Sequence, residues 1–193
     1  VGFYIAVYAG TSLAVVALLY VVVAVIARIP SGRFARAMLP SQLIAASSSS
    51  SMACLPALVE GAELLGLTSR VTGFVLPLAV SAFKIAAPVS WTVGALFVAW
   101  FYGIHLGPRE LATIAVAAIF LPFIGPGVPR GAFIMLAPLF LAIGLPAEGI
   151  GILIAVDAIP DIFSTILNVT GDLAAAAIVQ RGESPASPRI ELA

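Results

Sequence analysis

Apolar runs of unequal length, separated by short polar interruptions, set out the elements of this chain. Residues 1–29 are one uninterrupted apolar stretch closed by Arg28-Ile29-Pro30. At 1.5 Å per residue such a helix crosses a hydrocarbon layer of about 30 Å. Residues 33–66 read differently, because two half-length apolar pieces flank the polar run Ser47 to Ser51. Neither piece can cross alone, so the pattern predicts a re-entrant helical hairpin that enters and leaves on one side. Residues 72–104 are again long enough to cross, but Lys84 and Pro88 stand near their middle. Proline removes a helical hydrogen bond, so this element is expected to break between Phe83 and Pro88. Residues 108–145 repeat the hairpin pattern around the tip Ile124-Gly125-Pro126-Gly127-Val128-Pro129-Arg130. Residues 149–180 predict a closing helix, and the polar, Pro/Ser-rich tail 183–193 is expected to be disordered.

The expected fold is therefore an all-α membrane protein with transmembrane helices, two re-entrant hairpins and a broken helix. Its order is helix, hairpin, broken helix, hairpin, helix, so a hairpin-plus-helix unit occurs twice. Internal repeats with interrupted helices are the sequence pointer to a secondary transporter. Hairpin tips and half-helix ends offer backbone groups that bind ions and anionic groups without charged side chains.

The closing helix carries the chemistry. Asp157, Asp161, Ser164, Asn168 and Asp172 lie at offsets of 0, 4, 7, 11 and 15 in an apolar segment. At about 100° per residue they fall within a stripe roughly 80° wide. Carboxylates in hydrocarbon are costly and face protein or a water-filled cavity, so the stripe is a candidate solute or ion site. Asp157 and Asp161 form an i, i+4 pair with neither a nucleophile nor a metal-ligand set nearby, which suits an amine or ion better than acid/base catalysis. No Ser/His, His/Glu or two-aspartate motif on separate spans supports an intramembrane enzyme.

Composition agrees with the membrane reading. The chain is 62% hydrophobic and 9% charged, with mean hydropathy +1.17; soluble domains are about a quarter charged. Nine basic and nine acidic residues cancel, which argues against a nucleic-acid partner. A single cysteine, Cys54, excludes an internal disulfide and a cysteine metal cluster. It reads as a packing residue near the first tip. His105 reads as a loop residue, Trp100 and Tyr102 as interfacial anchors, and Glu60 and Glu63 as the solvated end of the first hairpin. Val1 in place of an initiator Met, with no signal-peptide pattern, suggests a segment of a longer protein. Arg28, Arg33 and Arg36 make the end of the first helix cytoplasmic, and three crossings return Arg181 and Arg189 to that face.

Several motifs then become recognisable together. They are Ser47 to Ser51 with Leu55-Pro56, Gly127-Val128-Pro129 with Ile134-Met135-Leu136, and Asp157-x-x-x-Asp161-x-x-Ser164-Thr165-x-x-Asn168-Val169-Thr170-Gly171-Asp172. They resemble the dicarboxylate/amino acid:cation symporter family, the glutamate transporter homologues, over roughly residues 1–182. The resemblance implies most of a mobile transport domain, symport of an amino acid or dicarboxylate, and a prokaryotic inner membrane. It also implies a homotrimer built through a scaffold absent from this chain. Asp161 matches the carboxylate that holds a substrate amino group, and Asp157 a supporting acid behind it. Asn168 and Asp172 match substrate and sodium ligands. Ser49, Ser50 and Ser51 match the first tip, which contacts the substrate carboxylate, and Gly125 to Pro129 match the second tip, which closes as a gate.

This sequence also departs from the family pattern. Ser164 stands where acidic-substrate members carry an arginine, and a hydroxyl cannot replace a bidentate guanidinium. Phe83-Lys84-Ile85-Ala86-Ala87 replaces the family's Asn-Met-Asp-Gly-Thr break, removing an acid and an amide that bind sodium. The second tip is one residue shorter and carries Arg130, which either reaches a substrate carboxylate or faces solvent. Lys84 either snorkels to an interface or pairs with Asp172 or Asp157 in place of a bound cation. The coupling ion is then Na+, H+ or none. The second functional reading is a non-transporting, solute-binding relative.

Overall fold

Long apolar stretches without turn signals become helices, and no strand occurs among the described residues of this computed structural model, 1–120 and 131–182. The second tip and the tail 183–193 lie outside them. The helices are α1 (Gly2–Val22), α2 (Ser31–Ser48), α3 (Leu55–Leu65), α4 (Leu76–Ala82), α5 (Ala87–Phe101), α6 (Pro108–Phe120), α7 (Gly131–Ala142), α8 (Glu148–Val156) and α9 (Ala158–Gly182). Widened π turns at Val23–Ala27 and Val71–Val75 extend α1 and lead into α4. Among the described residues, three stretches are long and apolar enough to cross a membrane: Gly2–Ala27, Val71–Phe101 and Ala158–Gly182.

Burial ranks these three. The apolar window of α9 is 56% buried within the bundle, that of Val71–Phe101 39% and that of α1 only 11%. The polar-striped helix is thus the axis, and α1, α2, α3, α4 and α8 pack on it.

The core has two lobes. In one, Phe34, Met38 and Leu58 of α2 and α3 pack with Leu76, Val169 and Leu173. In the other, Tyr4 and Tyr8 of α1 pack with Trp91, Ile114, Leu139 and Leu153. The first hairpin and α4 build the first lobe, and α5 to α8 build the second. The break between α4 and α5 marks the seam.

Each pair of hairpin arms ends in the same way. Gly66 (φ 82°) follows α3, its N–H donating to Glu63 O while Leu67 N donates to Ala62 O. Gly144 (φ 71°) follows α7, with its N–H on Leu141 O and Leu145 N on Phe140 O. Both are Schellman caps, for which a left-handed residue, favouring glycine, is needed. The following Leu67 and Leu145 are buried, one in each lobe.

One boundary differs from the sequence expectation. The closing helix 149–180 is split at Asp157, whose N–H donates to Ile154 O in a tight i−3 bond. Pro160 has no N–H to offer Val156 O, so the regular ladder cannot run through this point.

Candidate functional site

Four residues, Phe83 to Ala86, separate α4 from α5 inside the bundle. Phe83 leaves the helix with extended backbone (φ −93°, ψ 111°). The Lys84 backbone N–H can no longer take Val80 O, the bond a continuous helix would make. Its side chain takes that carbonyl instead, Nζ donating to Val80 O at 2.8 Å. An ammonium therefore sits on the negative end of the α4 dipole, where a cation is favoured.

The other half-helix end is capped from α9. Ala86 N donates to Asn168 Oδ1 at 3.0 Å, satisfying an orphan donor at the start of α5. Gly171 allows the close approach: a Cβ there would lie 2.7 Å from Ile85 Cγ2. The break loop and α9 thus meet through a hydrogen bond and a glycine contact less than one turn apart.

Beside this junction lies Asp172, 0% exposed, and neither of its carboxylate oxygens has a hydrogen-bond partner. Buried carboxylates are ordinarily paired or hydrogen-bonded, so an orphan one is a candidate site for a counter-charge or ligand. Among the described residues, Lys84 is the charged side chain within electrostatic range of it, without a direct ion pair. Cys54, buried just past the first tip, is also within range.

That tip is tied together by its own serines. Ser49 turns left-handed (φ 49°) to end α2. Ser50 Oγ accepts from Ala53 N at 3.3 Å, and Ser50 O accepts from Cys54 Sγ at 3.2 Å. Ser49, Ser50 and Ser51 are half-buried. Through Cys54 they are linked to the Asp172 end of the stripe.

The upper stripe faces α1. Ser164 Oγ and Tyr8 Oη are 2.8 Å apart, and Asp157 and Asp161 lie within electrostatic range of Tyr8. Thr165, buried, donates its hydroxyl to Asp161 O at 2.8 Å. The stripe therefore grades from half-buried (Asp157, Asp161, Ser164, Asn168) to fully buried (Asp172).

Lys84, Asn168, Asp172 and the first tip come together, and Asp157, Asp161 and Ser164 line the face toward α1. Gly127, Val128, Pro129 and Arg130 lie outside the described residues. Sequence reasoning missed Tyr8 and Gln42. Gln42 Nε2 donates to Thr170 Oγ1 at 3.0 Å and to Tyr20 Oη at 3.3 Å, joining α2, α9 and α1. A glutamine in an apolar hairpin arm was the available signal.

A sodium ion needs oxygen ligands, such as a carboxylate with the free carbonyls of an unwound helix. Asp172 could supply the first, but the Val80 carbonyl already holds an ammonium. A second positive charge there would be repelled, so the described residues around Val80 and Asp172 do not fit sodium.

Comparison with known proteins gives a consistent picture. The family model described as the sodium:dicarboxylate symporter family matches residues 1–182. The chain is 34% identical to mouse excitatory amino acid transporter 3 over 88% of its own length and 32% of the relative's. It is 31% identical to the proton/sodium-glutamate symport protein of Bacillus subtilis (strain 168), over 86% of the chain and 39% of the relative. Human neutral amino acid transporter A is 31% identical over 82% of the chain and 30% of the relative. The chain spans about a third of the length of these relatives.

Proposed function

Because the chain belongs to the sodium:dicarboxylate symporter family, we propose that it forms the solute-binding core of a multi-pass secondary transporter in a prokaryotic inner membrane. The cargo is a small amino acid or dicarboxylate, moved by alternating access. The observation that carries this reading is the meeting of two half-helix ends with an acidic stripe inside an apolar bundle.

In this reading Asp161 holds the substrate ammonium by charge-assisted hydrogen bonds. The backbone and hydroxyls of Ser49, Ser50 and Ser51 take its carboxylate. The second tip, Gly125 to Pro129, is assigned as the gate over both, and closure of such a gate excludes water and commits the cargo to movement. Both hairpins are re-entrant. Supporting this for the first, α2 begins beside the end of α1, and the end of α3 returns there: Ala27, Ile29, Leu65, Gly66 and Leu67 line one cavity of about 490 Å³ with Gln180 and Arg181.

Substrate choice follows from Ser164. Its hydroxyl is engaged with Tyr8, and no guanidinium stands at that position to grip a second carboxylate. We therefore assign a zwitterionic amino acid as preferred cargo over a dicarboxylate. Of the relatives above, two are named for excitatory amino acid or glutamate transport and one for neutral amino acids.

Uptake of radiolabelled alanine, serine, aspartate and succinate into liposomes carrying the protein tests the proposal. Saturable uptake of a neutral amino acid, falling at least about tenfold in kcat/KM in Asp161→Asn, is expected for loss of a charged contact. Binding without uptake would replace this reading with that of a non-transporting relative. Uptake indifferent to Asp161→Asn would remove the assigned amine site.

A further inference from the structure

We propose that the Lys84 ammonium is a tethered cation, standing at the C-terminal end of α4 opposite Asp172 where a coupling ion would otherwise sit, so that substrate binding needs no sodium. This rests on the transport reading above and specifies the energetics of the same site.

Three observations meet here. The carboxylate of Asp172 is wholly buried, without a hydrogen-bond partner among the described residues. A buried carboxylate of that kind needs a positive charge nearby. The C-terminal end of α4 is the negative pole of a half-helix, and Val80 O points its lone pair at the ammonium. A mobile ion would be drawn to these two features, carboxylate and helix carbonyl; here a covalently attached charge already occupies the carbonyl and lies within electrostatic range of the carboxylate.

The competing placements are less well supported. Snorkelling would carry Nζ away to a membrane surface. Instead Nζ bonds a carbonyl in the preceding turn of its own interrupted helix, and the side chain is half-buried. A role as direct substrate ligand would also use an ammonium in the break, and experiment separates it from the tethered role.

The consequence for transport is specific. In an ion-coupled carrier, the cation organises the break before or with substrate, and its gradient drives the cycle. With the charge built in, the chain itself organises the break: Lys84 caps α4 and Asn168 caps α5. The cycle then runs as exchange or facilitated movement down the substrate's own gradient, or on a coupling partner other than sodium.

The test compares wild type, Lys84→Met, Lys84→Arg and Lys84→Met/Asp172→Asn, each in sodium chloride and in choline chloride. Thermal unfolding midpoint and liposome uptake are measured for all four. Wild-type uptake should be the same in both salts within about twofold, and its midpoint should not move with sodium, because a ligand that does not bind cannot stabilise. Lys84→Met should lose at least about tenfold of its uptake in choline, the effect of stranding a buried charge. Sodium should then restore uptake and raise its midpoint, and adding Asp172→Asn should abolish the sodium shift. Lys84→Arg, which keeps the charge, should behave as wild type.

Wild-type uptake that rises more than about fivefold with sodium would overturn the proposal, because a site already neutralised gains little from another cation. So would a Lys84→Met protein whose KM rises equally in both salts, the signature of a direct substrate ligand. If no variant transports anything, the transport reading fails on its own. The sodium-dependent midpoint still decides the tethered charge: a shift confined to Lys84→Met supports it, and equal behaviour in wild type and variant rejects it. Should Lys84→Met not fold, sodium-stimulated unfolding resistance in wild type or in Lys84→Arg would reject it equally.

Discussion

At the scale of single residues, the site depends on contacts that leave no slack. Gly171 is the clearest case, because its missing Cβ makes room for Ile85 in the break loop. Gly171→Ala should destabilise by about 1–3 kcal/mol, the usual cost of overpacking, and Ile85→Ala should return part of it. Melting curves of the two single variants and the double variant decide this. Additive losses would mean that the two residues do not compete for the same space. The Tyr8–Ser164 contact is the second case. Tyr8→Phe and Ser164→Ala should each cost about 0.5–1.5 kcal/mol, and the double variant little more than one alone. Legibility differed sharply between these residues. Asp172 and Lys84 stood out because charge is rare in an apolar run. Tyr8 did not, since a tyrosine in a long apolar helix carries no period or spacing that names its partner. Its role exists only once α1 and α9 lie side by side.

At the scale of elements, the two hairpin-plus-helix units are more alike than the sequence suggested. The break at Lys84 was legible from Pro88 and a mid-run charge. The break at Asp157 was not, because the polar stripe keeps its helical period straight across it and Pro160 occupies an early turn of α9, where proline is tolerated. With both breaks present, α4–α5 follows the first hairpin as α8–α9 follows α6 and α7. Serine tip and aspartate stripe were both readable, while the link between them through buried Cys54 required the folded arms. Those arms pack closely at Gly61, where an added Cβ would collide with the Ala37 carbonyl oxygen. A backbone atom cannot swing away as a side chain can. Gly61→Ala should therefore separate α2 from α3 and cost about 1–3 kcal/mol. In a binding assay the same variant should weaken substrate affinity, because Ser49 to Ser51 move with the arms. Unchanged melting and affinity would show that the hairpin is looser than its packing implies.

At the scale of the whole molecule, the arrangement of ends decides which segments cross. Thr68 donates from both its backbone N–H and its hydroxyl to Gln180 Oε1, at 2.8 and 2.9 Å, so the exit of the first hairpin lies against the last turns of α9. At the far end of α5, Val98 packs on Gly149 at the start of α8, just after the exit from α7. Each hairpin thus begins and finishes near the end of the spanning helix before it. The proposed three crossings with two returns would put Arg28, Arg33 and Arg181 on one face, which the positive-inside rule makes the cytoplasmic one. The alternative, an arm that crosses, would bring Ser31 and Glu63 to opposite faces. Single cysteines in a Cys54→Ala background separate the two with a membrane-impermeant maleimide. Cysteines at Ser31, Glu63 and Arg181 should react from the cytoplasmic side, and those at Arg109 and Gly144 from the other. A cysteine at Ser50 should react slowly from the cytoplasmic side and be protected further by substrate. Labelling of positions 31 and 63 from opposite faces would require a hairpin arm of 11 or 18 residues to cross. At 1.5 Å per residue the shorter arm falls well short of about 30 Å, so that outcome would dismantle the two-unit architecture and the site assembled at its seam.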